Sequence, residues 1–189
     1  MHADAVVLDV DGVLVDVADS YRRAVVETVE RVHGATVPRP AVQRFKDAGG
    51  FNNDWDVTDA VALFVLARRE GYERDVAAFA AAVESAGGGV DGVDVVLDDA
   101  LGDEARERVR AAFDSARNRD VFQALYLGAE GYRRIEGGEP PFDAPGYVND
   151  EPTIVTRGTL DALRARGPVG VLTGRPAAEA DIALERVGL

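Results

Sequence analysis

Two carboxylates near the start of the chain are the residues best suited to do chemistry. Asp9 and Asp11 follow an apolar run at 5–8 and are separated by one valine. If a strand continues through Asp11, side chains two residues apart lie on the same face, so both carboxylates leave the sheet together. Two such charges about 6 Å apart repel by about 3 kcal/mol at an effective dielectric constant of about 20. A divalent cation of the magnesium type would remove this conflict, because it binds carboxylates together with phosphate oxygens.

The acid pair therefore predicts phosphoryl transfer, in which one acid attacks and its neighbour handles the proton. A second interpretation of the same segment stays open. Asp11-Gly12 between apolar residues is also typical of a tight β-hairpin, whose acids would only face solvent.

A second motif, Thr173-Gly174-Arg175, stands between a short apolar segment and the last amphipathic stretch. A hydroxyl, a glycine and exposed backbone N–H groups at the start of a helix are suited to binding phosphate. The alternative is that Thr173 only caps the last helix, that Gly174 serves the turn, and that Arg175 is an ordinary arginine at a helix start.

Composition restricts the remaining classes of chemistry. The 189 residues include no cysteine and two histidines, His2 and His33, which excludes a disulfide scaffold and an ordinary structural zinc site. Both histidines are interpreted as surface residues, so a serine triad is not expected. The hydrophobic content of 47% suffices for one domain, or for a small core that carries an insertion.

The charge balance indicates adaptation to salt rather than a reaction. The formal net charge is −13, and Lys46 is the only lysine. Self-repulsion of this kind is screened at high ionic strength. The arginines alternate with acids instead of forming a basic patch, so nucleic acid is not an expected partner. No leader of the secretory type and no apolar run of about 18 residues is present, so we expect a cytoplasmic protein without a membrane span.

Hydrophobic periodicity predicts two short strands, at 5–9 and 169–172, that enclose a long helical region. Segment 90–97 is ambiguous between an extended segment and a loop, and the Gly- and Pro-rich segment 137–147 is predicted to be a loop at a domain boundary. The predicted helices cover 21–32, 41–48, 57–69, 73–86, 103–117, 119–127, 156–166 and 177–187.

Together, Asp9-Val10-Asp11-Gly12-Val13 and Thr173-Gly174-Arg175 resemble the first two motifs of the haloacid-dehalogenase-like (HAD) hydrolase superfamily. The long helical filling between them resembles the inserted cap of the subfamily that includes phosphoglycolate-phosphatase-like enzymes. The loop 49–55 resembles a cap segment of an uncharacterised, haloarchaeal-type branch. The resemblance implies an α/β fold, with a partial Rossmann-like core at 1–15 and 151–189 and a helical cap at 16–150.

The resemblance also implies roles for individual residues. Asp9 would be the nucleophile, and Asp11 would protonate the leaving oxygen and later activate water. Mg²⁺ would contact the Asp9 carboxylate and the Asp11 backbone carbonyl. Thr173, Gly174 and Arg175 would bind the phosphoryl group of a small phosphorylated metabolite. The candidates for further substrate contacts in the cap are Lys46, Asn52 and Asn53, although a solvated surface position is the favoured interpretation of Lys46.

The chain departs from the family pattern after Thr173, because neither the later basic motif nor the final acidic motif of the family occurs before Leu189. Two strands also leave open sheet edges, which could support a homo-oligomer. We therefore interpret the chain as the N-terminal portion of a longer hydrolase, inactive or weakly active by itself. A noncatalytic module that binds a phosphorylated ligand is the main alternative, and a mutase or dehalogenase on the same scaffold is a third.

Overall fold

A computed structural model describes residues 4–189, so His2 lies outside the described part. Contacts divide the chain into two compact units: the first runs up to Ser20 and resumes at Val148–Leu189, and the second is Tyr21–Tyr147. The elements in chain order are β1 (Val6–Leu8), α1 (Ala18–His33), α2 (Val42–Asp47), α3 (Asp54–Arg69), α4 (Val76–Ser85), α5 (Gly89–Ala100), α6 (Asp103–Ala112), α7 (Ser115–Ile135), α8 (Arg157–Arg164), β2 (Val169–Val171) and α9 (Ala177–Val187).

The fold is mostly helical, and its two strands form one parallel sheet within the described residues. The sequence placed the core at 1–15 and 151–189 and the cap at 16–150, and the unit boundaries lie close to these positions. That the two units act as catalytic core and cap stays a prediction. None of the helices in residues 4–189 is both long enough and apolar enough to cross a membrane.

The first unit is organised around its two-stranded sheet. β1 pairs with β2 in the register Val6↔Val169 and Leu8↔Val171. One side of the sheet packs on a small apolar core, whose buried members are Val10, Leu14, Val15, Leu160, Ala183 and Val187. On the strands and just beyond β2, Val7 and Leu172 stay 64% and 74% exposed. Association of two chains through this open sheet stays a prediction.

The segment after β1 is a compact turn rather than a continued strand. β1 ends at Leu8, which corrects the predicted strand at 5–9. The Val10 carbonyl accepts hydrogen bonds from the N–H groups of Leu14 (2.9 Å) and Val15 (3.1 Å). Gly12 lies in this turn with a φ of 72°, a left-handed conformation that favours glycine. The chain therefore curls around Val10, whose side chain is fully buried.

The second unit contains most of α1 and the helices α2 to α7. Helix α3 is buried on nearly all sides, as its dense apolar sequence predicted, from Val57 to Ala67. Segment 90–97 belongs to α5, which packs against α3 and α4. The expectation of an extended segment or loop there was wrong. Glycine, valine and aspartate are poor helix formers, so the sequence does not indicate a helix, but burial of Val93, Val96 and Leu97 stabilises one.

A buried polar network connects three helices of the second unit. His33 is only 7% exposed, so its interpretation as a surface residue was wrong. Its Nε2 lies 2.9 Å from Asn118 Oδ1, and Asn118 Nδ2 donates to Asp59 Oδ1 at 2.8 Å. Ser115 Oγ donates to the other Asp59 oxygen. Burial lowers the pKa of His33 and raises the pKa of Asp59, because it disfavours the charged form of each group.

Candidate functional site

The sheet brings the two sequence motifs to one edge of the first unit. Leu8 pairs with Val171, and the Leu172 N–H donates to the Leu8 carbonyl at 3.0 Å. Asp9 follows β1 directly, and Thr173 follows β2 after one intervening residue; the carboxyl ends of parallel strands meet at the same edge of a sheet. The hairpin interpretation of Asp11-Gly12 is therefore wrong: β1 pairs with β2, and Asp11 meets Val15 only in an isolated bridge.

Asp9 is exposed at this edge. One of its carboxylate oxygens accepts a hydrogen bond from the Val10 N–H at 2.7 Å. Because the Val10 side chain is fully buried in the apolar core, this contact ties the Asp9 carboxylate to a fixed part of the backbone. A restrained but accessible carboxylate is suited to attack a phosphorus atom brought by a substrate.

Asp11 faces a buried arginine. Arg175 Nε donates to Asp11 Oδ1 at 2.5 Å, while the Asp11 side chain remains 37% exposed. The carboxylate can therefore be held by the protein on one side and reached from solvent on the other. The predicted face shared by Asp9 and Asp11 does not arise from a strand, because β1 ends before both residues.

Arg175 is not an ordinary exposed arginine at a helix start. Its side chain is 1% exposed, and Arg175 Nη2 donates at 3.0 Å to Oε2 of Glu151, whose side chain is also 1% exposed. A phosphate bound by this guanidinium would have to compete with the Asp11 and Glu151 carboxylates. Direct contact between Arg175 and phosphate stays a prediction.

Thr173 and Gly174 form the turn between β2 and α9. The Thr173 hydroxyl accepts from the Arg175 N–H at 3.2 Å, whereas the N-cap of α9 is Pro176 without a side-chain cap. The interpretation of Thr173 as a helix cap is therefore wrong. A Cβ at Gly174 would meet nothing within 4 Å, so the fold does not require glycine there. Because Gly174 has no side chain, a ligand can approach its backbone N–H closely.

The donor set for a cation is small. Residues 4–189 contain no group of three or more histidine or acidic side chains arranged to hold a metal ion. The Asp9 carboxylate and the Asp11 carbonyl supply hard oxygen donors, and Mg²⁺ usually keeps several waters and needs only one or two carboxylates beside the phosphate. The residues fit such a water-rich site, although the Asp11 carboxylate already pairs with Arg175.

The three predicted substrate residues of the second unit have structural partners. Lys46 Nζ lies 2.5 Å from Asp54 Oδ1 with its side chain 34% exposed, so this lysine is partly exposed and paired with an acid. Asn53 caps α3 by accepting from the Asp56 N–H at 2.9 Å. Asn52 is exposed, and its N–H donates to Asp56 at 3.1 Å. Contacts of these residues with a substrate stay predictions.

Two residues of the site were missed by sequence reasoning. Glu151 is 2% exposed and Ser20 is 4% exposed, and Ser20 Oγ donates to Glu151 Oε1 at 2.7 Å. Glu151 follows another acid and precedes a proline, a context typical of a solvated loop. No local signal indicates the contact between the two residues, because Ser20 and Glu151 are 131 positions apart in the sequence.

Comparison with known proteins supports a phosphatase fold. The structure is similar to phosphatase Tt82 from Thermococcus thioreducens, with a TM-score of 0.67 and 29% identity over 98% of this chain and 69% of that protein. It is also similar to a target of the Northeast Structural Genomics Consortium, with a TM-score of 0.62 and 17% identity over 99% of this chain and 67% of the other. The second similarity concerns the fold alone.

No family model matches the chain. A segment of 59 residues is 43% identical to an imidazoleglycerol-phosphate dehydratase of Phytophthora nicotianae, and it spans 31% of this chain but only 13% of that protein. The match therefore concerns a small part of the dehydratase. At the coarse level, the structural comparison supports a phosphatase-like hydrolase.

Proposed function

We propose that the chain is a phosphatase of the HAD type, of the helical-cap subfamily, that hydrolyses small phosphate monoesters. The observation that carries the proposal is the parallel pairing of β1 with β2, which brings the Asp9-Val10-Asp11 turn and Thr173-Gly174 to one edge. The similarity to the phosphatase Tt82 over 98% of the chain supports the same reaction class.

In the proposed reaction, an Asp9 oxygen attacks phosphorus and the bond from phosphorus to the ester oxygen breaks. Asp11 gives a proton to the departing alcohol. Water, deprotonated by Asp11, then attacks the phosphorus of the aspartyl phosphate; the bond from phosphorus to the Asp9 oxygen breaks, which releases inorganic phosphate and restores the Asp9 carboxylate. The Thr173 hydroxyl and the backbone N–H of Gly174 donate to the phosphoryl oxygens as charge develops.

Mg²⁺ is the proposed cofactor, held by the Asp9 carboxylate and the Asp11 backbone carbonyl. When bound, it would neutralise part of the phosphate charge and so reduce its repulsion from Asp9. Lys46, Asn52 and Asn53 are proposed to contact the rest of the substrate. The formal net charge of −13 supports a protein that works at high salt, because ions screen its self-repulsion.

The test is hydrolysis of p-nitrophenyl phosphate by the 189-residue chain with and without Mg²⁺. We expect slow turnover that depends on Mg²⁺ and falls by about a thousandfold or more in Asp9→Asn, as for loss of a covalent nucleophile. The matched control is Asp161→Asn, which removes an exposed carboxylate of the same unit and should leave the rate unchanged. Acid quenching followed by mass spectrometry should place a phosphoryl group on the peptide that contains Asp9.

A noncatalytic module that binds phosphorylated ligands is the second candidate. It is favoured by the lack, among residues 4–189, of a metal-binding group of three acidic or histidine side chains. This candidate predicts that inorganic phosphate raises the melting temperature of the chain while no p-nitrophenol is released. Rates that are equal in the wild-type chain and in Asp9→Asn would refute the phosphatase proposal.

A further inference from the structure

Behind the exposed edge of the site lies a chain of buried polar groups that runs from Asp11 into the first unit. Arg175 contacts Asp11 at 2.5 Å and Glu151 at 3.0 Å. Ser20 Oγ donates to Glu151 at 2.7 Å and lies 3.0 Å from the Val17 carbonyl. Only the Asp11 end is open to solvent, with 37% of that side chain exposed against 1% for Arg175 and Glu151.

The buried end of this chain is held firmly. Glu151 receives Arg175 on one carboxylate oxygen and Ser20 on the other. The Arg186 guanidinium donates to the backbone carbonyls of Val148 and Glu151, which anchors the segment that carries the carboxylate. A buried carboxylate with donors on both oxygens has little freedom to rotate, so Glu151 is a fixed support for the guanidinium.

The Arg175 guanidinium, held by Glu151, restrains the Asp11 carboxylate in turn. Its donors lie in one rigid plane, so Nη2 pinned on Glu151 leaves Nε with a set direction, toward Asp11. Burying an arginine costs several kcal/mol unless it is paired, and a buried ion pair is weak evidence for stability. The arrangement is better explained by what it does to the partly exposed carboxylate at its end.

We propose that Arg175, supported by Glu151, is a positioning residue that holds the Asp11 carboxyl group through Oδ1, so that its protonated form can give a proton to the leaving oxygen. This inference rests on the proposed phosphatase function, and it replaces the predicted phosphate contact of Arg175 with a role through Asp11. Proton transfer needs the donor oxygen within hydrogen-bond reach of the departing atom, and small errors in such placement are costly. Arg175 therefore acts through Asp11 and does not touch the reacting atoms.

The test compares two esters that differ in their need for a proton. The p-nitrophenolate group leaves without protonation, whereas the alcohol of an alkyl monoester such as glycerol phosphate must be protonated as it leaves. The quantity to measure is the ratio of kcat/KM for p-nitrophenyl phosphate to kcat/KM for the alkyl ester. Both values come from the same sample, so a loss of folded protein cancels in the ratio.

We expect Arg175→Met to raise this ratio by about tenfold to a hundredfold, a part of the 10²–10⁴ that general acid catalysis typically contributes. Glu151→Gln, which keeps the shape of the support but not its charge, should raise the ratio in the same direction. Arg175→Lys should fall between wild type and Arg175→Met, because it keeps the charge without the planar fork. Arg166→Met, which alters an exposed arginine of the same unit, is the control and should leave the ratio unchanged.

The outcomes separate the two proposals. An active wild-type chain whose ratio is the same in Arg175→Met, Arg175→Lys and Glu151→Gln would overturn the positioning role and leave the phosphatase proposal intact. A wild-type chain without turnover of either ester would overturn the phosphatase proposal, and with it the role assigned to Arg175.

Discussion

Gly49 and Gly50 offer a matched pair of substitutions in the loop that leads to Asn52 and Asn53. Both glycines have left-handed backbone conformations, with φ of 73° and 75°. A Cβ at Gly49 would meet nothing within 4 Å, whereas a Cβ at Gly50 would lie 2.6 Å from the backbone nitrogen of Gly89. The two positions therefore differ in close contact but not in backbone strain.

The magnitudes follow from this difference. Gly49→Ala should cost about 1–2 kcal/mol, the penalty of a side chain in the left-handed region. Gly50→Ala should cost the same plus about 1–3 kcal/mol for overpacking, because the obstructing atoms belong to the backbone and cannot rotate away. The change in unfolded-state entropy is the same for the two substitutions, so the difference between the variants isolates the contact.

Urea denaturation followed by circular dichroism measures both free energies of unfolding. We expect Gly50→Ala to be less stable than Gly49→Ala by about 1–3 kcal/mol, with equal m-values. Equal stabilities of the two variants would refute the reasoning, since they would mean that the Gly50 loop does not lie against Gly88 and Gly89 in solution.

Two further predictions concern buried titratable groups of the second unit. Because burial raises the pKa of Asp59 above its ordinary 3.8, the stability of the wild type should fall as pH rises through the raised pKa, and Asp59→Asn should lack this loss. Asp59→Ala should instead lower the free energy of unfolding by about 1–3 kcal/mol at every pH, because it leaves Asn118 without its acceptor. Free energies of unfolding from urea denaturation between about pH 4 and 7 that change equally with pH in wild type and Asp59→Asn would contradict the argument. Burial and the hydrogen bond to Glu27 raise the pKa of Tyr147 from 10.0 to about 12, so unfolding should become easier between these values, as the unfolded chain releases this proton first. The difference in ultraviolet absorbance between wild type and Tyr147→Phe should show one phenol that ionises near the upper value, and ionisation near the lower value in folded protein would count against the contact with Glu27.

Local sequence pattern was sufficient to predict helices whose apolar periodicity is clear. Helix α9 covers 177–187 as predicted, and Thr156 caps α8 by accepting from the Thr159 N–H at 3.2 Å. Burial of α3 followed from its dense apolar residues. In all three helices the apolar periodicity indicates the observed structure, and in α8 the capping residue agrees with it.

Local sequence pattern did not predict the structure where contacts with other parts of the chain determine it. Helix α5 has weak propensity and forms against α3 and α4. His33 is buried with its Nε2 paired to Asn118, and nothing near His33 in the sequence indicates this partner. Lys46 is half-buried because it pairs with Asp54.

The sequence by itself determined which residues could do chemistry: an acid pair after one apolar segment, and a threonine and glycine after another. It also determined that two short strands enclose a helical region. The predicted parallel pairing of the two strands is confirmed, whereas only the tertiary structure decided their register and that Arg175 lies buried between Asp11 and Glu151. The physical reason is that hydrophobic period and capping act over a few residues, whereas a buried charge takes whichever partner the fold brings to it.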